Sequence, residues 1–177
     1  LDQPASYAQR ARETQSTEHD ANRDEHLLES IARTEIDNIG AAFNPDLMAG
    51  MIRACAAIEN ARHVYIVGRG AAYPAAYQFA YAYRLFRDNG VLVDGHAGAF
   101  GDELRGMGRR DLMIAVAAKP YIRDTVRAVD FARSQHCPVI AISDSDVSPI
   151  ALDAMTKLVV RDTSQSFFQS FTAALSV

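Results

Sequence analysis

The chain has 177 residues, 49% hydrophobic and 23% charged, with a formal net charge of −4. That length holds one domain with a substantial core plus an appendage, and the composition is ordinary for a soluble globular protein. The negative balance argues against a strongly basic nucleic-acid surface, no apolar run reaches membrane-spanning length and no signal peptide opens the chain, so a reducing cytoplasm is the expected setting.

Residues 1–24 are polar and short of large aliphatics, and they read as a linker or surface tail. Residues 25–177 read as the folded domain. Leu28, Ala32, Ile36 and Ile39 recur at helical spacing, with Gly40 placed to end that helix. Asn44-Pro45-Asp46 starts a second helix: Asn caps it, Pro suits its first turn, and Asp suits the positive end. Leu47, Met48, Met51, Ile52, Cys55 and Ile58 form its stripe. Cys55 and Cys137 both lie in apolar sequence and are expected to be buried free thiols, and no Cys/His spacing suits a metal.

Val64–Val67 is β-branched and aromatic, as a strand buried on both faces requires. Gly68 and Gly70 then permit a tight turn, and Pro74 fits the first turn of a helix over 75–88. Further strands are expected at 91–94, 111–117, 138–142 and 157–160. Helices are expected at 124–135, packed through Val126, Val129 and Phe131, briefly after Ser148-Pro149, and from Ser166 onward. Leu1 in place of Met, and an end inside an apolar run at Val177, lead us to expect further chain at both ends.

Strands alternating with helices imply right-handed βαβ units and a parallel sheet. Ligands on such sheets lie beyond the carboxyl ends of the strands. Those ends are Gly68–Ala72, Asp94–His96, Ala117–Tyr121 and Ser143–Asp146. Gly68-x-Gly70 followed by Asp94 imitates a dinucleotide fingerprint, but the third glycine position carries Tyr73, so a nicotinamide cofactor ranks third among the readings. Lys119 and Arg123 precede or open a helix and could face an anion, or could be solvated loop cations. Thr125 either caps that helix or touches ligand. His96, between glycines, could serve as a base or only as a polar contact; with Glu103 it forms the one pair suited to acid–base work. Tyr73, Tyr77 and Tyr81 recur one turn apart, as core or subunit contact.

The order of these motifs resembles the sugar isomerase (SIS) domain of RpiR-type transcriptional regulators. The resemblance is carried by Val64–Gly70, Asp111–Ala117, Pro120-Tyr121 with Thr125-Val126, Val139–Ser145, Ser148-Pro149 and Ser166–Phe168, and it covers residues 35–177. It implies an α/β fold: a three-layer αβα sandwich with a five-stranded parallel sheet, flavodoxin-like, preceded by two helices. It also implies an effector-binding, dimerising module that senses a sugar phosphate or related carbohydrate derivative and reaches DNA through a helix-turn-helix. Residues 1–12 look like the end of that module. An aldose–ketose sugar-phosphate isomerase of the same fold is the alternative. The ligand residues it suggests are Gly68, Arg69, Gly70, Ala71, Ala72, His96, Lys119, Tyr121 and Thr125, with no catalytic residue, metal or cofactor. Typical members hold phosphate with serines and a threonine at the first and third strand ends. Here Ala71, Ala72, Ala117, Lys119 and Ile122 stand at those positions, and Thr125 remains.

Overall fold

A computed structural model describes residues 21–164 and 169–177. Helix α1 spans Ala21–Ala42 and α2 spans Pro45–Asn60. Strand β1 (Val64–Val67), a 3-10 turn (Gly70–Ala72) and α3 (Tyr73–Arg84) follow. Next come β2 (Gly90–Leu92), a second 3-10 turn (His96–Gly98), α4 (Phe100–Glu103), β3 (Leu112–Ala117) and α5 (Arg123–Ser134). The chain closes with β4 (Val139–Ser143), β5 (Thr156–Val159) and α6 (Thr172–Ser176). The strands form one parallel sheet in the order β2-β1-β3-β4-β5, with Ile66 beside Ile114 and Ile114 beside Ile140.

The two-residue period of a strand sends alternate side chains to opposite faces. Val64, Ile66, Leu112, Ile114, Ile140 and Leu158 meet α2, α3 and α6 on one face. Tyr65, Val67, Met113, Ala115, Val139 and Ala141 meet α5 and the segments holding Leu104, Met107 and Ile150 on the other. Helices on both faces of a parallel sheet make the expected three-layer α/β fold, with α1 and α2 before the first strand.

The Asn44 side chain accepts hydrogen bonds from the Asp46 and Leu47 N–H groups, at 3.1 and 3.0 Å, with Pro45 at the first helical position, as the sequence predicts. Gly40 does not end α1, which runs on to Ala42. A single glycine costs a helix about 1 kcal/mol, too little to stop a helix that packs beyond it. Helix α3 occupies 73–84 rather than 75–88, and Ser148-Pro149 opens only hydrogen-bonded turns. Cys137 is buried but Cys55 is exposed, because α2 turns Met48, Ile52 and Cys55 away from the sheet. Helix α5 meets the sheet through Thr125, Ala128, Val129 and Ala132, while Phe131 stays 37% exposed. Small side chains let the helix approach the sheet closely, and a Phe on that line would hold it away. The helix expected from Ser166 onward begins only at Thr172, with 169–171 not helical; residues 165–168 and the 1–12 helix-turn-helix remnant lie outside the described residues. No helix among the described residues is long and apolar enough to cross a membrane.

Candidate functional site

The strand order reverses between β1 and β3. At such a switch point the connections leave for opposite faces and open a crevice beyond the strand ends. Two glycines shape its β1 side for different reasons. A Cβ on Gly68 would lie 2.9 Å from both the Ala72 carbonyl oxygen and the Ala76 Cβ. Gly68 therefore lets α3 close onto the strand; it is buried and builds the loop rather than the lining. Gly70 has φ +58°, and a Cβ there would lie 2.3 Å from Ile122 Cδ1. It supplies the left-handed turn and lets Ile122 cross from the β3 side.

The β3 side is the 118–122 loop leading into α5, with a cis peptide bond at Lys119–Pro120. Ile122 is the N-cap and gives no side-chain hydrogen bond, so Thr125 does not cap the helix. Its first N–H groups have no intrahelical partner. Thr125 sits in the first turn at 1% exposure, and its Oγ1 has no hydrogen-bond partner among the described residues. Between the two loops lies a cavity of about 50 Å³, lined by Arg69, Ala71, Ala72, Ala117, Ala118, Pro120, Ile122, Thr125, Gln169 and Phe171. Since one water needs about 10–15 Å³ by this measure, a group of a few heavy atoms fits.

A wider cleft of about 400 Å³ adjoins it on the β2 side, lined by Arg69, Gly70, Tyr73, Asp94 and His96. Arg69 borders both spaces, and its guanidinium donates to the Asp94 carbonyl. The Asp94 carboxylate accepts from the His96 N–H at 2.8 Å. Glu103 accepts from the Gly95 N–H at 2.9 Å, which ties this half of the candidate acid–base pair to the loop backbone.

Lys119 and Tyr121 line neither space; they stand at Asp144, just past β4. The Tyr121 hydroxyl donates to Asp144 Oδ1 at 2.7 Å, and the Lys119 N–H approaches Oδ2 at 3.4 Å. Burial first, and then the Asp144 carboxylate, raise the Tyr121 phenol above its ordinary range. Burial and the Asp144 charge also raise the carboxyl of Asp162, while a Gln169 hydrogen bond and, more weakly, Lys119 oppose them. The Lys119 ammonium thus already lies in the field of a carboxylate. Arg123 opens α5 and is exposed.

The structure therefore gathers Arg69, Ala71, Ala72 and Thr125 about one cavity and Arg69, Gly70 and His96 about the cleft beside it. Sequence reasoning missed Gln169, Phe171 and Asp162, which come from the segment after β5 folding back over the sheet edge. Only the position of Asp144 at a strand end was visible beforehand. Among the described residues no group of three or more His, Cys, Asp or Glu is placed to hold a metal ion.

The SIS domain family model matches residues 57–177, well over half of the chain. No curated protein matches significantly. Among solved structures, the chain is similar to the sugar isomerase domain of an RpiR transcription factor from Sphaerobacter thermophilus, with a TM-score of 0.79 and 26% identity over 85% of this chain and 84% of that one. It is also similar to the Vibrio vulnificus NanR protein complexed with ManNAc-6P, with a TM-score of 0.71 and 16% identity over 96% of this chain and 61% of that one. A third, an Escherichia coli CFT073 protein in complex with A5P, has a TM-score of 0.67 and 13% identity over 89% of this chain and 86% of that one.

Proposed function

We propose that this chain, which belongs to the SIS domain family, is the effector-binding and dimerising domain of an RpiR-type transcriptional regulator of the cytoplasm. It senses a sugar phosphate or a related carbohydrate derivative. One observation carries the reading: the switch-point cavity ends on Thr125, whose buried Oγ1 has no protein partner among the described residues. A buried hydroxyl without a partner costs stability. A ligand atom at that point offsets the cost. The likeness to an RpiR domain and to the NanR protein complexed with ManNAc-6P supports the ligand class.

The domain binds as a homodimer, with α1 in the interface. DNA is held through a helix-turn-helix joined to the first residues, not through residues 25–177. The experiment pairs calorimetric titration against a panel of aldose and ketose phosphates and free hexosamines with an isomerisation assay on the same compounds. Saturable binding without turnover is the expected result. Turnover of a bound aldose phosphate to its ketose would replace the regulator with the isomerase reading, with His96 the first candidate for the base.

A further inference from the structure

Resting on the carbohydrate reading above, the inference concerns which part of the ligand enters the switch-point cavity. A bound phosphate is met by several donors that can carry its charge, most often hydroxyls, backbone N–H groups and cations converging on three oxygens. The side chains here are of another kind. Ala71, Ala72, Ala117, Pro120, Ile122 and Phe171 present only carbon. Ile122 reaches across to Gly70, where any Cβ would collide with its Cδ1, and so puts a methyl group at the mouth.

Among the described residues, the polar side chains on the lining are then Thr125, Gln169 and Arg69. Gln169 is engaged with Asp162. Arg69 donates to the Asp94 carbonyl, on the side of the wider cleft. Among the described residues, Thr125 Oγ1 is the hydroxyl on this lining left open. The Lys119 N–H and the Gln169 side chain, the polar groups beside this lining, are already engaged with Asp144 and Asp162. An ionised group in such a carbon-lined space loses its hydration for little return. A methyl group and one hydrogen-bonding atom fit it directly.

We propose that this cavity anchors the carbohydrate through a small uncharged substituent of the acetamido kind rather than through a phosphate. The methyl lies against the alanines, and the carbonyl oxygen accepts a hydrogen bond from Thr125 Oγ1. The ring and its hydroxyls extend into the wider cleft between Arg69, Asp94 and His96. Thr125 is thereby a specificity-determining residue, and phosphorylation at a distant carbon of the sugar contributes little to affinity.

The test is calorimetric titration of the chain with N-acetylglucosamine, N-acetylmannosamine, the two unacetylated amines, and the 6-phosphates of all four. The expected result is binding that requires the acetyl group and changes less than about threefold on phosphorylation. Thr125→Val should weaken binding of the acetylated sugar by about fivefold, the loss of one ordinary hydrogen bond. It should leave the melting temperature unchanged or raised, and Thr125→Ser should retain binding. A 6-phosphate that binds tenfold or more tightly than its parent sugar, or amines that bind as well as acetamides, would overturn the proposal and leave the carbohydrate reading standing. No binding by any of the eight at millimolar concentration would remove the carbohydrate reading and this inference with it.

Discussion

Asp111 shows how one side chain can hold the end of a sheet opposite the candidate site. It precedes β3, and its side chain is fully buried. The Arg62 guanidinium clasps it with Nε to Oδ1 at 2.8 Å and Nη2 to Oδ2 at 2.7 Å. The Gly108 N–H donates to it at 2.8 Å, and His63 Nδ1 lies 3.2 Å from Oδ1. Arg62 and His63 lead into β1, so the carboxylate fastens two adjacent strand entries to each other. Burial alone would raise this carboxyl, but the hydrogen bonds from Arg62, Gly108 and His63 together outweigh it and hold it below the usual carboxylate range. A group depressed in the folded state stabilises the fold at pH above its unfolded pKa, about 3.9 for Asp, and the contribution is lost as pH falls through the folded value. Asp111→Asn should therefore cost about 2 kcal/mol near neutrality, on the scale of hydrogen bonds to a charged group. The difference from wild type should shrink as the pH is lowered below about 3.9, the unfolded value. Urea midpoints at the two pH values check this, and equal midpoints near neutrality would contradict it.

Residue chemistry was legible where the backbone dictates it. Gly68 and Gly70 could be placed in a turn because few other residues fit one. The standing of Thr125 was not legible, since an unpartnered hydroxyl depends on everything else that reaches the same cavity. Arg62 and Asp111 are far apart in sequence and carry no local signature of pairing.

At the scale of elements, α1 is turned against expectation for a surface helix. Its row toward the body of the domain is mixed and polar: the Asn38 side chain donates to the Thr163 carbonyl at 2.7 Å, and Glu35 accepts from Ser170 Oγ at 2.6 Å. Leu28 and Ile36 point away and are 67% and 69% exposed. Of the stripe that marks the helix in the sequence, Leu28, Ala32 and Ile36 thus lie on the face their own domain does not cover, and Ile39 is half-buried. A large exposed apolar face is usually an interaction surface, and polar bonds at 35 and 38 fix this one outward. Ile36→Asp should convert a homodimer to monomers without loss of helical content, as read by sedimentation and circular dichroism. A wild-type chain that sediments as a monomer at micromolar concentration would rule out the interface.

Caps and strands were the readable parts of these elements. Asn44-Pro45 carries its own hydrogen-bonding chemistry, and Val64–Val67 can be little but a buried strand. Ser148-Pro149 misled because the turns it opens, although they bury Ile150 and Ala151, end at Asp153 with φ +55° before a helix is complete. The small-residue face of α5 was hidden for a related reason: Phe131 looks like core in sequence, yet the helix meets the sheet through Ala128, Val129 and Ala132, with Val126 partly buried beside them.

For the whole molecule, alternating strands and helices foretold a parallel sheet, but not its order. The order matters for function, because only the neighbouring of β1 and β3 brings Gly70 against Ile122 and Thr125 against Ala71 and Ala72. The segment after β5 then closes the cavity with Gln169 and Phe171, a long-range return with no local sequence signal. The account rests on one claim: the carbohydrate ligand occupies this switch-point cavity. Hydrogen exchange of backbone amides, with and without saturating N-acetylmannosamine or its 6-phosphate, tests it directly. Protection should concentrate at residues 70–73 and 123–126, the two chain segments that border the cavity, and should fall on Thr125→Val. Saturation of the protein with exchange at those amides unchanged would place the ligand elsewhere and contradict the account.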